Sequence, residues 1–399
     1  MRREYKNNLI LREESFGGVL FNRRNLSYQF LTRDEIKQLG KKTCRRIKTN
    51  KKYFSDNILS SPIRVYWEIT RKCNLRCPQC FTNSAVALPG ELSLEECFKV
   101  AQGLKKDGVI EIRITGGEPT QKKGWEKLVE YALEIGLVVS LNTNGIFEND
   151  FAIKKIAEVG IDQVIVSIDG PKEIHEESRG EGSFEKVIDT IRKLNNLRVP
   201  VRANILLTKK VLPYIEEMTV FLKDMVDEIC FMQLKPIGRG GKILFLAPSF
   251  LELVEVDKRL KLLRKLYPEL KITGGYDFIP YSKLIPASGM DLTTCASGFR
   301  GCNLDSLGGI YACGFLEELG KDFSLGNIVK EGYSLLNIWH NSEKLTHFRK
   351  ANLEKTRKCQ NCEYFRRVCF GSCVVMEQYK LRKSIDKRDP YCYMEYEKR

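Results

Sequence analysis

The stretch of sequence that decides the fold reads Cys73-Asn74-Leu75-Arg76-Cys77-Pro78-Gln79-Cys80 and directly follows a strand-like apolar run. Its cysteines have the spacing C-x3-C-x2-C. Three thiolates on one short loop suit a cubane iron–sulfur cluster whose fourth iron stays open, because a structural zinc would need a fourth protein ligand close by. A zinc loop that borrows a distant ligand is the alternative.

Strand-like and helical segments alternate from residue 61 to about residue 250, which predicts βα units that form a parallel sheet. We expect six strands, at Arg64–Thr70, Val109–Thr115, Leu137–Asn142, Gln163–Ile168, Val201–Leu207 and Glu228–Leu234. Helices are expected at Leu94–Lys106, Trp125–Ile135, Phe151–Val159, Phe184–Leu194 and Pro213–Met225. Six β/α steps are too few for an eight-fold barrel, so we predict an α/β fold with a partial (β/α)6 TIM-like barrel. In such barrels the chemistry lies at the C-terminal ends of the strands.

Polar residues follow several of the predicted strands and form a candidate pocket. The second strand is followed by Thr115-Gly116-Gly117-Glu118-Pro119, whose glycines let the backbone approach a ligand and whose carboxylate could hold an ammonium group. Hydroxyl, amide and carboxylate groups after the next two strands could hydrogen-bond a ribose. The candidates are Asn142, Asn144, Ser167 and Asp169, with Asn204 and Arg179 as further possible members.

On these residues, positions 61–250 resemble the core of radical S-adenosylmethionine (SAM) enzymes. The resemblance implies that Cys73, Cys77 and Cys80 bind a [4Fe-4S] cluster whose open iron takes SAM, which is cleaved to a 5′-deoxyadenosyl radical. It also implies a SAM pocket made by Gly116, Gly117, Glu118, Pro119, Asn142, Asn144, Ser167 and Asp169. The family usually has an aromatic residue or histidine before the third cysteine, where this chain has Gln79.

The C-terminal zone, residues 291–399, contains eight of the 14 cysteines and little sequence for a hydrophobic core. Their spacing alone fits two [4Fe-4S] clusters or two zinc sites. The zone resembles the SPASM extension of peptide-modifying radical SAM enzymes, although the Cys362–Cys369 gap is one residue longer than usual. The resemblance implies two auxiliary clusters, one held by Cys295, Cys302, Cys313 and Cys373 and the other by Cys359, Cys362, Cys369 and Cys392. Sulfatase-maturing relatives have an acidic base directly after the cysteine equivalent to Cys313, where this chain has Gly314.

The remaining segments carry weaker signals. Residues 1–60 have 15 basic and 6 acidic side chains, which is +9 of the net charge of +15, and predict a small sheet followed by a helix near Arg33–Lys48. This segment faintly resembles the start of a peptide-recognition module. Residues 251–290 are expected to form a linker with a helix at Leu251–Leu266. Cys44, Cys97 and Cys230 are expected to be free thiols.

The leading functional hypothesis is a radical SAM enzyme that removes hydrogen from a peptide or protein side chain and leaves an oxidative change such as a crosslink. Its expected partners are a precursor peptide or protein and a flavodoxin- or ferredoxin-type reductant. The alternatives are maturation of a haem, quinone or metal cofactor, and a basic zinc protein that binds nucleic acid. No apolar run approaches the ~18 residues that span a bilayer, so we expect no membrane contact and a cytoplasmic location.

Overall fold

The computed structural model describes residues 8–39, 44–47, 49–55, 58–235, 237–274, 295–354, 357–362 and 373. Its first unit is a four-stranded sheet with the order β3-β2-β1-β4. The elements are β1 (Leu9–Glu14), β2 (Gly17–Asn22), β3 (Ser27–Thr32), α1 (Arg33–Gln38) and β4 (Arg45–Ile47). The expected helix over Arg33–Lys48 is therefore wrong at its C-terminal end. Arg45–Ile47 form a strand because they pair in parallel with β1, and the Ile47 side chain packs against the sheet's apolar cluster.

The central unit is a partial barrel of parallel strands, which confirms the predicted fold class. Its strands are β5 (Arg64–Glu68), β6 (Glu111–Thr115), β7 (Val138–Thr143), β8 (Gln163–Ser167), β9 (Val201–Leu207) and β10 (Glu228–Gln233). Its helices are α2 (Leu94–Lys106), α3 (Trp125–Glu134), α4 (Phe151–Val159), α5 (Lys172–Arg179), α6 (Ser183–Asn196) and α7 (Ile215–Leu222). All six predicted strands are present, whereas α5 was not predicted because only His175 of its eight residues is buried.

The barrel sheet continues beyond the six predicted strands on both sides. The chain adds α8 (Phe250–Leu266) and β11 (Lys271–Gly274), which pairs in parallel with β10. On the other side β12 (Gly301–Leu304) pairs in parallel with β5, followed by β13 (Gly309–Tyr311) and β14 (Gly326–Asn327). The C-terminal part also contains α9 (Gly314–Glu317), α10 (Leu336–Asn341), α11 (Glu343–Glu354) and α12 (Arg357–Gln360). Short 3-10 helices lie at Lys51–Tyr53, Pro119–Gln121, Leu212–Tyr214, Gly238–Leu246 and Lys321–Phe323.

Two buried arginines attach the N-terminal sheet to the bottom of the barrel. Arg12 is fully buried, pairs with Glu14 at 2.8 Å and donates to the carbonyl oxygens of Ser61, Pro62 and Gly108 at 2.7–3.0 Å. Arg23 forms a two-pronged ion pair with Asp162, directly before β8. The sheet is thus fixed at the N-terminal ends of the strands, away from the end where the candidate residues lie. No helix in the described part of the chain is long and apolar enough to cross a membrane.

Candidate active site

The three-cysteine loop begins after β5 and is held on both sides by backbone hydrogen bonds. The Cys73 amide donates to the Ala85 carbonyl at 3.2 Å, and the Cys80 amide donates to the Cys77 carbonyl at 3.2 Å. Arg239, beyond β10, donates from its amide to the Cys80 carbonyl at 2.9 Å and from Nε to the Cys77 carbonyl at 2.8 Å. The loop therefore has a fixed conformation at the C-terminal end of the barrel.

The three thiols are half-buried and act on one another electrostatically. Burial raises the pKa of Cys73 and of Cys77, and the Cys80 charge raises both further. The Leu75 amide, 3.4 Å from the Cys73 sulfur, favours the thiolate. No three His, Cys, Asp or Glu side chains of the described residues are arranged to hold one metal ion. Three thiols on one rigid loop are the donor set that a cubane cluster takes, so the residues fit that group.

The Gly-Gly turn after β6 packs tightly against the backbone that precedes Cys73. The Gly117 amide donates to the Thr70 carbonyl at 2.7 Å, and the Glu118 amide donates to the Lys72 carbonyl at 2.8 Å. A Cβ at Gly117 would lie less than 3.0 Å from the Lys72 carbonyl, and Gly116 has a φ of +152°. The glycines are thus required for the close approach of these two loops.

Glu118 is fully buried, and its carboxylate ties the second strand-end loop to the third. Oε1 accepts from the Thr120 amide at 3.2 Å and hydroxyl at 2.8 Å. Oε2 accepts from the Thr143 hydroxyl at 2.9 Å and the Asn144 amide at 2.8 Å. Burial raises the pKa of Glu118, and these donors oppose that shift. Because four donors fill the acceptor positions of the carboxylate, it is a structural tie in this geometry rather than a free partner for an ammonium group.

Asp169, directly after β8, lies at the centre of a buried polar group. Its Oδ2 accepts from Gln79 Nε2 and Arg179 Nε, each at 2.7 Å. Its amide donates to His175 Nδ1 at 3.1 Å, and burial lowers the pKa of His175 to about 4. Gln79, the departure from the family pattern, therefore connects the cysteine loop to Asp169. The sequence did not single out His175, whose only signal was a histidine six residues after a strand-end aspartate.

The other predicted pocket residues differ in whether their side-chain oxygens already accept hydrogen bonds. Asn142 Oδ1 and Gln79 Oε1 are buried and have no hydrogen-bond partner within the described part of the chain. Ser167 is half-buried at the end of β8, whereas Asn204 Oδ1 already accepts from Arg202 Nε at 2.8 Å. Buried acceptors without partners fit a ligand that brings hydroxyl or amino donors, as SAM does.

The C-terminal cysteines divide into those that the structure brings together and those that it does not. Burial and the charges of Cys295 and Cys373 raise the pKa of Cys313 to about 12, which places these three thiols near one another. Cys359 and Cys362 lie at α12, where the Cys362 amide donates to the Cys359 carbonyl at 3.0 Å. Cys369 and Cys392 lie outside the described residues.

Cys302, another predicted ligand, is buried in the core of the barrel sheet. It lies on β12, which pairs antiparallel with β13 and in parallel with β5. Its side chain is buried, and the charge of Arg349 acts on it. The assignment of Cys302 to one ligand set with Cys295, Cys313 and Cys373 stays a prediction.

Comparison with known protein families agrees with this geometry. The family model of the radical SAM superfamily matches residues 67–219, and that of the SPASM iron–sulfur cluster-binding domain matches residues 295–363. The chain therefore contains a radical SAM domain over residues 67–219. It is an enzyme of the oxidoreductase type, with [4Fe-4S] clusters and SAM as its cofactors.

Individual relatives of this radical SAM protein span most of its length. It is 28% identical over 342 residues to the mycofactocin maturase MftC of Mycolicibacterium smegmatis, covering 84% of this chain and 83% of MftC. It is also 28% identical to an AdoMet-dependent heme synthase of Methanosarcina barkeri, covering 84% and 97%. The crystal structure of Streptococcus suis SuiB bound to the precursor peptide SuiA shares the fold, with a TM-score of 0.75, 18% identity and coverage of 98% and 100%.

Proposed function

We propose that this radical SAM enzyme modifies a peptide or protein side chain, with Cys73, Cys77 and Cys80 holding the cluster that binds SAM. The observation that carries the proposal is the position of the two cysteine groups. Phe81, next to Cys80, contacts Phe315, two residues after Cys313, with ring centroids 4.8 Å apart. A centre that binds SAM and a second thiol centre are therefore neighbours at one end of the barrel.

The likeness to maturases supports a peptide substrate. MftC is described as a maturase, and SuiB was crystallised with a precursor peptide; the match to SuiB includes the N-terminal sheet of this chain. The likeness to a heme synthase supports a second candidate, in which the substrate is a haem precursor. The excess of basic residues in positions 1–60 suits an acidic peptide or an acidic reductant of the flavodoxin or ferredoxin type.

The proposed mechanism assigns separate tasks to the residues of the chain. When bound, the SAM-ligated cluster supplies the electron that cleaves SAM to the 5′-deoxyadenosyl radical. Arg239 and the Gly-Gly turn fix the cysteine loop against the barrel. Asp169, positioned by Gln79 and Arg179, and the open acceptor of Asn142 orient the polar part of SAM. Burial of this pocket keeps water from the reacting hydrogen atom.

The first test is the metal content of anaerobically reconstituted protein. We expect roughly 12 iron and matching sulfide per chain, and about four fewer of each in Cys77→Ala. Cys97→Ala is the matched control, because Cys97 is buried in α2 and lies outside the three-cysteine loop. About four iron together with two zinc would make the C-terminal centres structural, and a chain without iron would overturn the proposal.

The second test identifies the substrate. Purified enzyme, SAM and a flavodoxin or ferredoxin reducing system would be incubated with short peptides encoded beside the gene, and separately with an iron porphyrin. We expect 5′-deoxyadenosine together with a peptide that has lost two hydrogen atoms by mass. Conversion of the porphyrin while the peptides stay unchanged would favour the haem candidate instead.

A further inference from the structure

Four carboxylates surround one arginine between the two cysteine groups. Arg71 donates from Nε to Glu68 at 2.5 Å and from Nη1 to Glu318 at 2.6 Å, and it also pairs with Glu317. Asp305, which follows β12, acts electrostatically on Glu68 and Glu317. We call Glu68, Asp305, Glu317 and Glu318 the acidic cluster.

The acidic cluster carries more negative charge than its arginine can balance. Glu68 and Asp305 are buried, and the side chains of Glu317 and Glu318 are only 15% and 18% exposed. Like charges that are close together in a buried site do not all ionise, so the group retains a proton near neutral pH. Burial and the neighbouring acids raise the pKa of Glu317 to about 7, and burial raises that of Glu68 as well.

The groups that face Glu317 come from every element packed around it. They are Arg71 and Glu68 from β5 and the loop after it, Asp305 and Tyr311 from the β12–β13 hairpin, and Glu318 on its own helix. Glu91 accepts from the Arg71 amide at 2.6 Å on the outer side of the loop. Arg71 is the cation that acts on Glu68, Asp305 and Glu317 alike.

The acidic cluster and its arginine lie on backbone segments next to both cysteine groups. Glu317 follows Cys313 by four residues, which is about one turn of the helix α9 that Cys313 caps. Arg71 precedes Cys73 by two residues and also donates to the Thr82 carbonyl, two residues after Cys80. A negative charge that arrives at the Cys313 centre is thus close to a shared proton site in a poorly hydrated region.

We propose that the acidic cluster takes up one proton when one electron reaches the auxiliary iron–sulfur centre that Cys313 holds. The centre becomes more negative by one unit and the acidic cluster less negative by one unit, so the net charge of the region is unchanged. The proton comes from water or from the substrate group that is being oxidised. The inference rests on the proposed role of Cys313 as a cluster ligand.

The test measures the midpoint potential of the auxiliary centres between pH 6 and pH 9 by spectroscopic redox titration. Full-length Cys73→Ala/Cys77→Ala/Cys80→Ala protein isolates these centres, and roughly eight iron per chain shows that they are present. Above about pH 7 we expect the potential of one centre to fall with pH. The limiting slope is a tenfold change in the reduction equilibrium per pH unit, which is 59 mV for one electron.

Carboxylate substitutions in the same triple cysteine variant show which side chains take up the proton. Glu317→Gln keeps the size of the side chain, and we expect a smaller slope because Glu68 still shares the proton; Glu68→Gln/Glu317→Gln should flatten the slope. Glu343→Gln removes an exposed carboxylate of α11 and should leave the slope of the parent protein.

Each result decides the proposal. A potential that does not change with pH in the parent protein overturns it, as does an equal slope after Glu317→Gln. If the double variant loses iron, the single variant decides alone. Absence of iron from the parent protein would instead refute the cluster assignment itself, so the two failures are distinguishable.

Discussion

The substitution Glu118→Gln distinguishes between two roles of this carboxylate: holding the strand-end loops together and contacting SAM directly. The geometry commits Oε1 and Oε2 to four donors, two of which are the backbone amides of Thr120 and Asn144. A glutamine presents one oxygen and one NH2 group, so in either orientation one of these buried amides faces another donor. The substitution removes both an acceptor and the charge that strengthens the remaining hydrogen bonds.

The size of the effect follows from those contacts. A buried amide left without an acceptor costs about 1–3 kcal/mol, and the neutral replacements for charge-assisted hydrogen bonds add to that cost. We therefore expect the free energy of unfolding of the barrel to fall by about 2–4 kcal/mol. Because the backbone of the turn remains in place, SAM affinity should fall by less than about tenfold.

The assay is urea unfolding followed by tryptophan fluorescence, since Trp67 and Trp125 are buried in the barrel. SAM binding is measured on the same protein by calorimetry. Glu130→Gln, on the exposed side of α3, controls for the loss of a carboxylate. If Glu118 instead contacted the SAM ammonium directly, stability would stay near that of the wild type while affinity fell by more than about 30-fold, and that pattern would refute the structural reading.

Three further outcomes follow from buried groups. Arg12→Met should destabilise the protein by about 3–5 kcal/mol, because the buried Glu14 carboxylate loses its arginine and keeps only the hydrogen bonds from Ser60. Arg12→Met/Glu14→Gln should recover part of the loss; equal denaturation midpoints for the two variants would argue against this. His175 has a folded pKa of about 4 against 6.5 unfolded, so the wild type should lose about 3 kcal/mol more stability than His175→Gln as pH falls from 6.5 to 4, measured by urea unfolding at each pH. Cys302→Ala and Cys313→Ala should each lose about four iron, measured on anaerobically reconstituted protein; full iron content in Cys302→Ala would remove Cys302 from the ligand set.

The barrel was predictable because its signals are local. The expected strand at Val201–Leu207 and the helices at Leu94–Lys106 and Phe151–Val159 coincide with β9, α2 and α4. In each of these segments the apolar spacing matches burial by the barrel, and a capping box at Ser93 starts α2. Residues that follow such strands are brought to one edge of the sheet by topology alone, so the sequence could predict that the candidate residues share that edge.

The elements that were missed depend on contacts distant in sequence. β11, β12 and β14 have two to four residues each, too few to show an alternation, and exist because they extend the barrel sheet. Spacing also cannot reveal which face of a strand a cysteine occupies. Cys302 fits the ligand count, and the sequence could not show that it lies buried on β12 with the charge of Arg349 acting on it.

Gln79 shows how a departure from the family pattern is compensated by neighbouring residues. An aromatic side chain before the third cysteine would offer a surface for stacking. Gln79 instead donates to Asp169, and its Oε1 has no partner among the residues that the structure describes. Arg179 is the last residue of α5, and its side chain donates to the same Asp169 carboxylate. The cost of burying Asp169 is thus offset by a cation and an amide, and the amide fixes the cysteine loop at the same time. The strand-end aspartate and the loop residue therefore act as one unit, and the two positions should be altered together in any attempt to restore the usual aromatic residue.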